Sequence, residues 1–311
     1  MTALSVVLPV YNGARTLDRA LASVDCEGAD IEILAVDQAS TDGSRDILEA
    51  WARRLPMKII DAPDSTAWTT TTNVGLRSAT APLAVMLHQD DAWTEGFVGA
   101  VLRSAEEWPE AALWLHPAWY VDDNDRRIGR FTPPFGSRAR LVPRREALET
   151  LLVQNTVALP GAVFRREAAM AGGGLAPALW YTADWDLWLR LAKLGPVGWR
   201  PAPIAHFRLH EASQTMKGSE ALDDFADQLA RPLDQHIASA PDETRAEVLR
   251  LAQTSNLINL RLAAAHHGGK DKPPGIWAAI FSLGPAGVLR LLRRTRLLQR
   301  VLPRLRLRLG L

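Results

Sequence analysis

The stretch LSVVLPV, residues 4–10, carries no charge and no polar–apolar alternation, the pattern of a strand buried on both faces. Such a strand needs covering layers on either side, and the residues after it supply them. Leu17, Ala20, Leu21 and Val24 recur at helical spacing, and IEILAV (31–36) is a second apolar run that ends at Asp37. Ser44 is placed to cap a helix with apolar positions at Ile47, Leu48, Trp51 and Leu55, although a plain cap is equally available from Asp42. Residues 57–60 read as a short strand, LAVML (83–87) as another buried one, and 94–107 as a helix. Strand and helix alternating over short connections predict an α/β fold, a mostly parallel sheet flanked by helices. Ligands in such sheets bind outside the carboxyl ends of the strands. Tyr11-Asn12-Gly13, the 37–42 segment and the 88–91 segment all fall there.

The middle of the chain is less regular. LWLHPAWYV (113–121) reads as a strand, 122–126 as a turn, and 131–136 as a proline-broken loop. A helix is predicted from Asp184 to Gly195, with the glycine at the C′ position, and a last strand over 204–209. From about Ser219 the pattern is helical, through Leu222, Phe225, Ala226 and Leu229 and again over 249–264. The expected organisation is an α/β domain over 1–215, a helical extension over 216–265, a linker over 266–284 and a basic amphipathic tail over 285–311. The single cysteine, Cys26, excludes an internal disulfide and fits a reducing compartment. The start has no basic, apolar leader pattern, and no uncharged apolar run reaches ~18 residues, so neither a secretory leader nor a membrane span is expected.

Asp90 and Asp91 follow a buried strand directly. Hard divalent cations favour oxygen ligands, and Mg²⁺ takes one or two carboxylates beside phosphate oxygens and water; the alternative is a turn that caps the next helix. Asp37 can accept a hydrogen bond from a nucleobase N–H or a ribose hydroxyl. Tyr11 offers a flat face to a base, or is a half-buried loop aromatic.

Taken in order, VVLPVYNG (6–13), VDQASTDGS (36–44), Asn73-Val74-Gly75, LHQDD (87–91), DWDLWLRLAKLG (184–195) and HFRLHEASQT (206–215) resemble the family 2 glycosyltransferases with the GT-A fold, of the bacterial envelope-polysaccharide type. The likeness spans roughly residues 1–215. It implies a nucleoside-diphosphate-sugar site built from Pro9, Tyr11, Asn12, Asp37, Gln38, Asn73 and Asp90. It also implies a Mn²⁺ or Mg²⁺ held by Asp90, Asp91 and His210, and Asp184 as the base of an inverting transfer to a hydroxyl of a glycan or lipid-linked acceptor. Three positions depart from the family pattern. Gln38 replaces an acid but can still pair with an imide such as uracil, His88 stands where the first acid of the metal motif is usual, and Ala183 replaces a glutamate. His88 is open to ribose, to metal or to a structural hydrogen bond, and Arg208 to the diphosphate or a strand edge. Asp186, two residues from Asp184, cannot share its helix face and is expected to pair with Arg190, while Trp185, Trp188 and Leu189 pack inward. Two other classes remain open: a non-catalytic nucleotide-sugar-binding module, and a sugar nucleotidyltransferase, which would carry a Gly-rich basic loop where PVYNGARTL stands.

The formal charge of +1 hides an asymmetry, because residues 285–311 hold eight arginines and no acid. Leu289, Leu292, Leu297 and Val301 mixed with these arginines suit an interfacial helix on an anionic membrane surface, with Pro303 breaking or kinking it. This predicts a cytoplasmic protein held peripherally on the inner face of the membrane. A solvated or oligomer-forming helix is the alternative, and no aromatic platform supports nucleic-acid binding.

Overall fold

The computed structural model describes residues 2–25, 30–210, 221–267 and 275–309. Cys26, the segment beyond His210 in the HFRLHEASQT motif and residues 268–274 of the expected linker lie outside them. The N-terminal half runs β1 (Leu4–Val10), α1 (Ala14–Ala22), β2 (Ile31–Asp37), α2 (Ser44–Ala52), β3 (Met57–Asp61), α3 (Trp68–Ser78), β4 (Leu83–Met86), β5 (Ala92–Trp93) and α4 (Phe97–Glu107). Then come β6 (Leu113–Leu115), β7 (Ala118–Val121), β8 (Arg127–Phe131), β9 (Arg140–Val142), α5 (Arg144–Leu151), β10 (Ala162–Arg165), α6 (Arg166–Ala171), α7 (Ala183–Ala192), β11 (Val197–Trp199) and β12 (Ala205–Arg208). The described C-terminal helices are α8 (Leu222–His236), α9 (Asp242–His266), α10 (Ile276–Ser282), α11 (Gly284–Thr295) and α12 (Leu297–Leu309).

An eight-stranded sheet has the order β3-β2-β1-β4-β10-β6-β11-β9, and a four-stranded sheet the order β5-β12-β7-β8. The β3-β2-β1-β4 side is parallel throughout, whereas β10 runs antiparallel to both its neighbours. Apolar clusters cover both faces of the large sheet, with Leu187, Trp188 and Trp199 on one and Leu8, Leu17 and Phe97 on the other. Trp185, Trp188 and Leu189 are all buried, as the pattern of their segment predicts.

Helix α3 has no counterpart in the predicted elements. Its sequence WTTTTNVGLRS holds four consecutive threonines, which favour strand over helix. The parallel β3–β4 crossover needs a helix, and Thr71 and Thr72 satisfy their hydroxyls on the carbonyls of Ala67 and Trp68, at 3.0 and 2.7 Å. Gly75 lets α3 lie directly on the sheet, since a Cβ there would stand 2.5 Å from Val7 Cγ1.

Four further expectations need correction. LWLHPAWYV is two strands in different sheets, because Pro117 has no N–H to continue the ladder. Ser44 is the first helical residue of α2 rather than its cap, which is Gly43 at φ 89°. Helix α7 ends at Ala192 with Lys193 as its cap, so Gly195 is not at C′. The tail breaks at Arg296 (φ 50°), while Pro303 sits inside α12 with its ring against Gly129 of β8. The described part of the predicted linker also contains helix α10. Helix α12 docks on the small sheet, where Leu307 joins Tyr120, Ile128 and Leu209.

Candidate active site

The carboxyl ends of β1 and β2 form one side of the site. Residues of β1 alternate in direction: Val7 accepts from Leu87 N and Val10 from Gln38 N. Pro9 therefore faces the β4 side just past the end of the β4 pairing, where its missing N–H forfeits no ladder bond. Beyond it the chain turns through Asn12 at φ 47°. Asn12 Oδ1 accepts from Thr41 N at 2.8 Å, and Asn12 N donates to Ser40 Oγ at 3.0 Å. Gln89 clamps the backbone of Tyr11 from the other side, accepting from its N at 2.9 Å and donating to its O at 3.0 Å. The loop is thus held at three points while the Tyr11 side chain stays 55% exposed, a rigid mount for a stacking ring. Asp37 lies buried below, accepting from Ser40 N at 3.1 Å, with Arg45 Nη1 3.9 Å away. Gln38 Oε1 accepts from Thr71 Oγ1 at 3.1 Å, which orients its amide. Asn73 is placed differently from its neighbours in the predicted set. Its amide bonds both backbone groups of Leu175 at 2.8 Å, so it secures the loop before α7 instead of facing a ligand.

The second side is the loop after β4. One ligand atom each from His88, Asp90 and Asp91 lies within 4.8 Å of the others. Burial pushes the His88 imidazole down in pKa against the pull of Asp90, and its Nε2 is buried with no partner among the described residues. A neutral imidazole with an unused nitrogen beside two carboxylates is a donor set that suits Mn²⁺ or Mg²⁺. Burial disfavours charge on Asp90, but the hydrogen bond from His210 leads the opposing contributions that hold that carboxyl below its ordinary range. His210 Nε2 donates to Asp90 Oδ2 at 2.9 Å, so His210 joins the cluster through Asp90. Asp91 is buried, accepts from Arg208 N at 3.0 Å, and is raised well above its ordinary value by burial and by Asp90. Arg208 is itself buried and spent on Asp90 O, Asp122 O and Asp125, which leaves it a strut of the small sheet.

The third side is the start of α7. Asp184 Oδ2 accepts from Asn155 Nδ2 at 3.0 Å, and burial raises the carboxyl from 3.8 to about 6 despite that bond. Such a group is ionised at neutral pH yet basic enough to take a proton. Asp186 points away from it, to Arg190 Nε at 2.8 Å and His236 Nε2 at 2.7 Å, which pins α7 to α8. Trp68 connects the second and third sides. Its ring lies edge-on to His88 at 5.2 Å, and its Nε1 donates to Trp180 O at 2.7 Å, four residues before Asp184. Asn155 has no motif around it; only the fold, which sets it 29 positions from its partner, reveals its role.

The sequence pattern of glycosyl transferase family 2 matches residues 5–172. Among curated relatives, an uncharacterized glycosyltransferase of Nostoc sp. is 27% identical over 230 residues, 70% of this chain and 68% of its own length. A validoxylamine A glucosyltransferase of Streptomyces hygroscopicus is 36% identical over 88 residues, 27% of this chain and 21% of its own. Among solved structures, S. aureus TarS 1–349 in complex with UDP-GlcNAc superposes with a TM-score of 0.67 at 15% identity, covering 94% of this chain and 84% of that one. A Pyrobaculum calidifontis mannosyltransferase in complex with GDP-Man and Mn²⁺ gives a TM-score of 0.59 at 15% identity, covering 98% and 86%. Both carry the fold alone, which is GT-A.

Proposed function

The chain belongs to glycosyl transferase family 2, and on that premise we propose that it is a metal-dependent, inverting hexosyltransferase acting on a nucleoside-diphosphate sugar, UDP-linked by preference. The observation that carries this reading is Asp184, a half-buried carboxylate with its basicity raised to about 6 and its orientation held by Asn155. Tyr11 stacks on the base while Asp37 and Gln38 bind its edge and the ribose. His88, Asp90, Asp91 and His210 are the residues that would hold Mn²⁺ or Mg²⁺, which supplies positive charge opposite the leaving diphosphate. Asp184 Oδ takes the proton from the acceptor hydroxyl as that oxygen attacks the anomeric carbon and the C–O bond to the diphosphate breaks. The sugar is inverted in one displacement, with no covalent enzyme intermediate.

A glycan or lipid-linked acceptor of envelope-polysaccharide type fits a further proposal, that the protein lies peripherally on the inner face of the membrane. No single described helix is long and apolar enough to cross a bilayer. Helices α10–α12 nevertheless leave Trp277 (69%), Phe281 (78%) and Leu298 (67%) exposed, and residues 285–311 carry eight arginines, the residue types of an interfacial surface. Thermal shift with UDP- and GDP-sugars plus Mn²⁺ tests the donor reading, and stabilisation by one donor followed by its turnover is the expected result. Metal-dependent nucleotide binding with no turnover of any donor would instead make the chain a binding module. Sedimentation with anionic liposomes, lost in Phe281→Ser/Leu298→Ser, tests the surface; unchanged sedimentation removes it.

A further inference from the structure

Helix α12 carries Arg300 and Arg304 one turn apart. Arg304 Cζ stands 5.7 Å from the centroid of the Tyr120 ring. Burial pushes the Tyr181 phenol up, with Arg304 and Arg300 pulling it down and Asp184 and Tyr120 pushing it up. Tyr181 lies three residues before Asp184 in the chain. Arg300 Nη2 also reaches Asn259, whose amide donates to Gln154 Oε1 at 3.0 Å, and Gln154 is the chain neighbour of Asn155, which holds Asp184.

The partners of these two arginines are unlike those of the tail arginines before them. Arg290 pairs with Glu247, and Arg294 reaches Glu149 at 3.3 Å. Arg300 donates to Asn259 Oδ1 at 2.6 Å and Thr295 O at 3.5 Å, and Arg304 donates to Arg300 O at 2.6 Å. All of these acceptors are neutral, and among the described residues neither guanidinium has a carboxylate partner. Burial and Arg304 press the Arg300 pKa down to about 10, so both groups remain charged at neutral pH. Two like charges at i and i+4, half-buried, carry a desolvation and repulsion cost that a counterion would relieve. The Tyr120 hydroxyl beside them is fully buried and has no hydrogen-bond partner among the described residues. Two planar forks and a phenol O–H are a donor set that matches a phosphate better than a monovalent carboxylate.

We propose that Arg300 and Arg304, with the Tyr120 and Tyr181 hydroxyls, form an anion subsite that binds a phosphate group of the acceptor next to the hydroxyl to be glycosylated. The proposal rests on the reading of Asp184 as the base. On the proposed function the donor's diphosphate is already served by the loop after β4, whose His88 packs against Trp68. The phosphate can belong to a soluble phosphorylated glycan or to a lipid-linked one, and the two are separable by experiment.

The test uses the full chain in EDTA, which removes metal-dependent nucleotide and phosphate binding. Glycerol 3-phosphate, glycerol, and phosphatidylcholine vesicles with and without phosphatidic acid are the probes, followed by calorimetry. The expected result is saturable binding of glycerol 3-phosphate and none of glycerol. Its Kd should rise at least tenfold in Arg304→Gln, recover in part in Arg304→Lys, and stay unchanged in Arg290→Gln. Competition by phosphatidic acid vesicles marks a lipid source, and its absence with soluble binding intact marks a soluble one; both support the subsite. Absence of saturable binding in the wild type, or equal affinity in Arg304→Gln with its thermal transition intact, overturns it. Donor turnover by the wild-type chain, measured separately with Mn²⁺, shows whether the glycosyltransferase reading survives that failure.

Discussion

Replacing Asp184 with asparagine should abolish transfer and at the same time stabilise the fold. The carboxyl is raised from 3.8 to about 6 chiefly by burial, so the folded state binds its proton more tightly than the unfolded state does. That contribution to stability is fully present below the unfolded value and is lost as pH rises through about 6. At neutral pH the folded protein bears the whole cost of the charge, with a ceiling of ~3 kcal/mol from 1.36 kcal/mol per factor of ten. The side chain keeps some contact with water, so a gain of about 1–2 kcal/mol is the expected size in Asp184→Asn. Urea unfolding at pH 8 should show that gain, and at pH 4 the variant and wild type should nearly coincide. Transfer should fall by ~10²–10⁴, the range for loss of a general base, while nucleotide binding is retained. A variant no more stable than wild type at pH 8, or a difference that does not change with pH, would refute the desolvated carboxylate. Turnover near the wild-type rate would refute the base.

Three further outcomes follow from the same geometry. The rate of transfer in the wild type should rise with pH up to about 6 and then level, because Asp184 acts in its ionised form; a profile flat from pH 5 to 8 would assign the proton to another group. EDTA should abolish turnover, and His88→Ala should weaken Mn²⁺ binding by about tenfold or more, read by calorimetry; equal affinity would leave the metal to Asp90 and its other neighbours. Gly75→Ala should cost about 1–3 kcal/mol, since its Cβ would meet Val7 Cγ1 at 2.5 Å, and a denaturant midpoint unchanged from wild type would mean that α3 can lift from the sheet.

What was legible in the sequence follows from what carries the signal. The strands β1, β2 and β4 are largely buried on both faces and announce themselves as runs that are apolar but for Ser5, Glu32 and the terminal Asp37. Helix α3 hides because the face it buries is threonine, asparagine and glycine with Leu76 as its one fully buried large apolar side chain, too little for a hydrophobic period to report. The strand β10 is only four residues long and lies between β4 and β6, so its register is a tertiary fact. At the site, Tyr11, Asp37, Asp90 and Asp184 stand at the ends of elements, where motif spacing points to them. Asn155 and the clamp between Asn73 and Leu175 depend on pairings 29 and 102 positions apart, and no local pattern encodes those. The tail is legible in composition alone. That Arg294 and Arg300 also reach Glu149 and Asn259, and that Arg306 and Pro303 meet β8, is decided by packing.

The docking of α12 also imposes an order on assembly. Arg306 Nη1 donates to Ile128 O across 178 positions of chain, and Pro303 closes over Gly129 in the same place. The nucleotide loops and the 88–91 cluster come from the first third of the sequence and need none of that segment. During synthesis the donor half can therefore fold while the wall beside Asp184 waits for residues made much later. A nascent or C-terminally clipped chain would hold an activated sugar with the acceptor side open to water, and would waste it by hydrolysis.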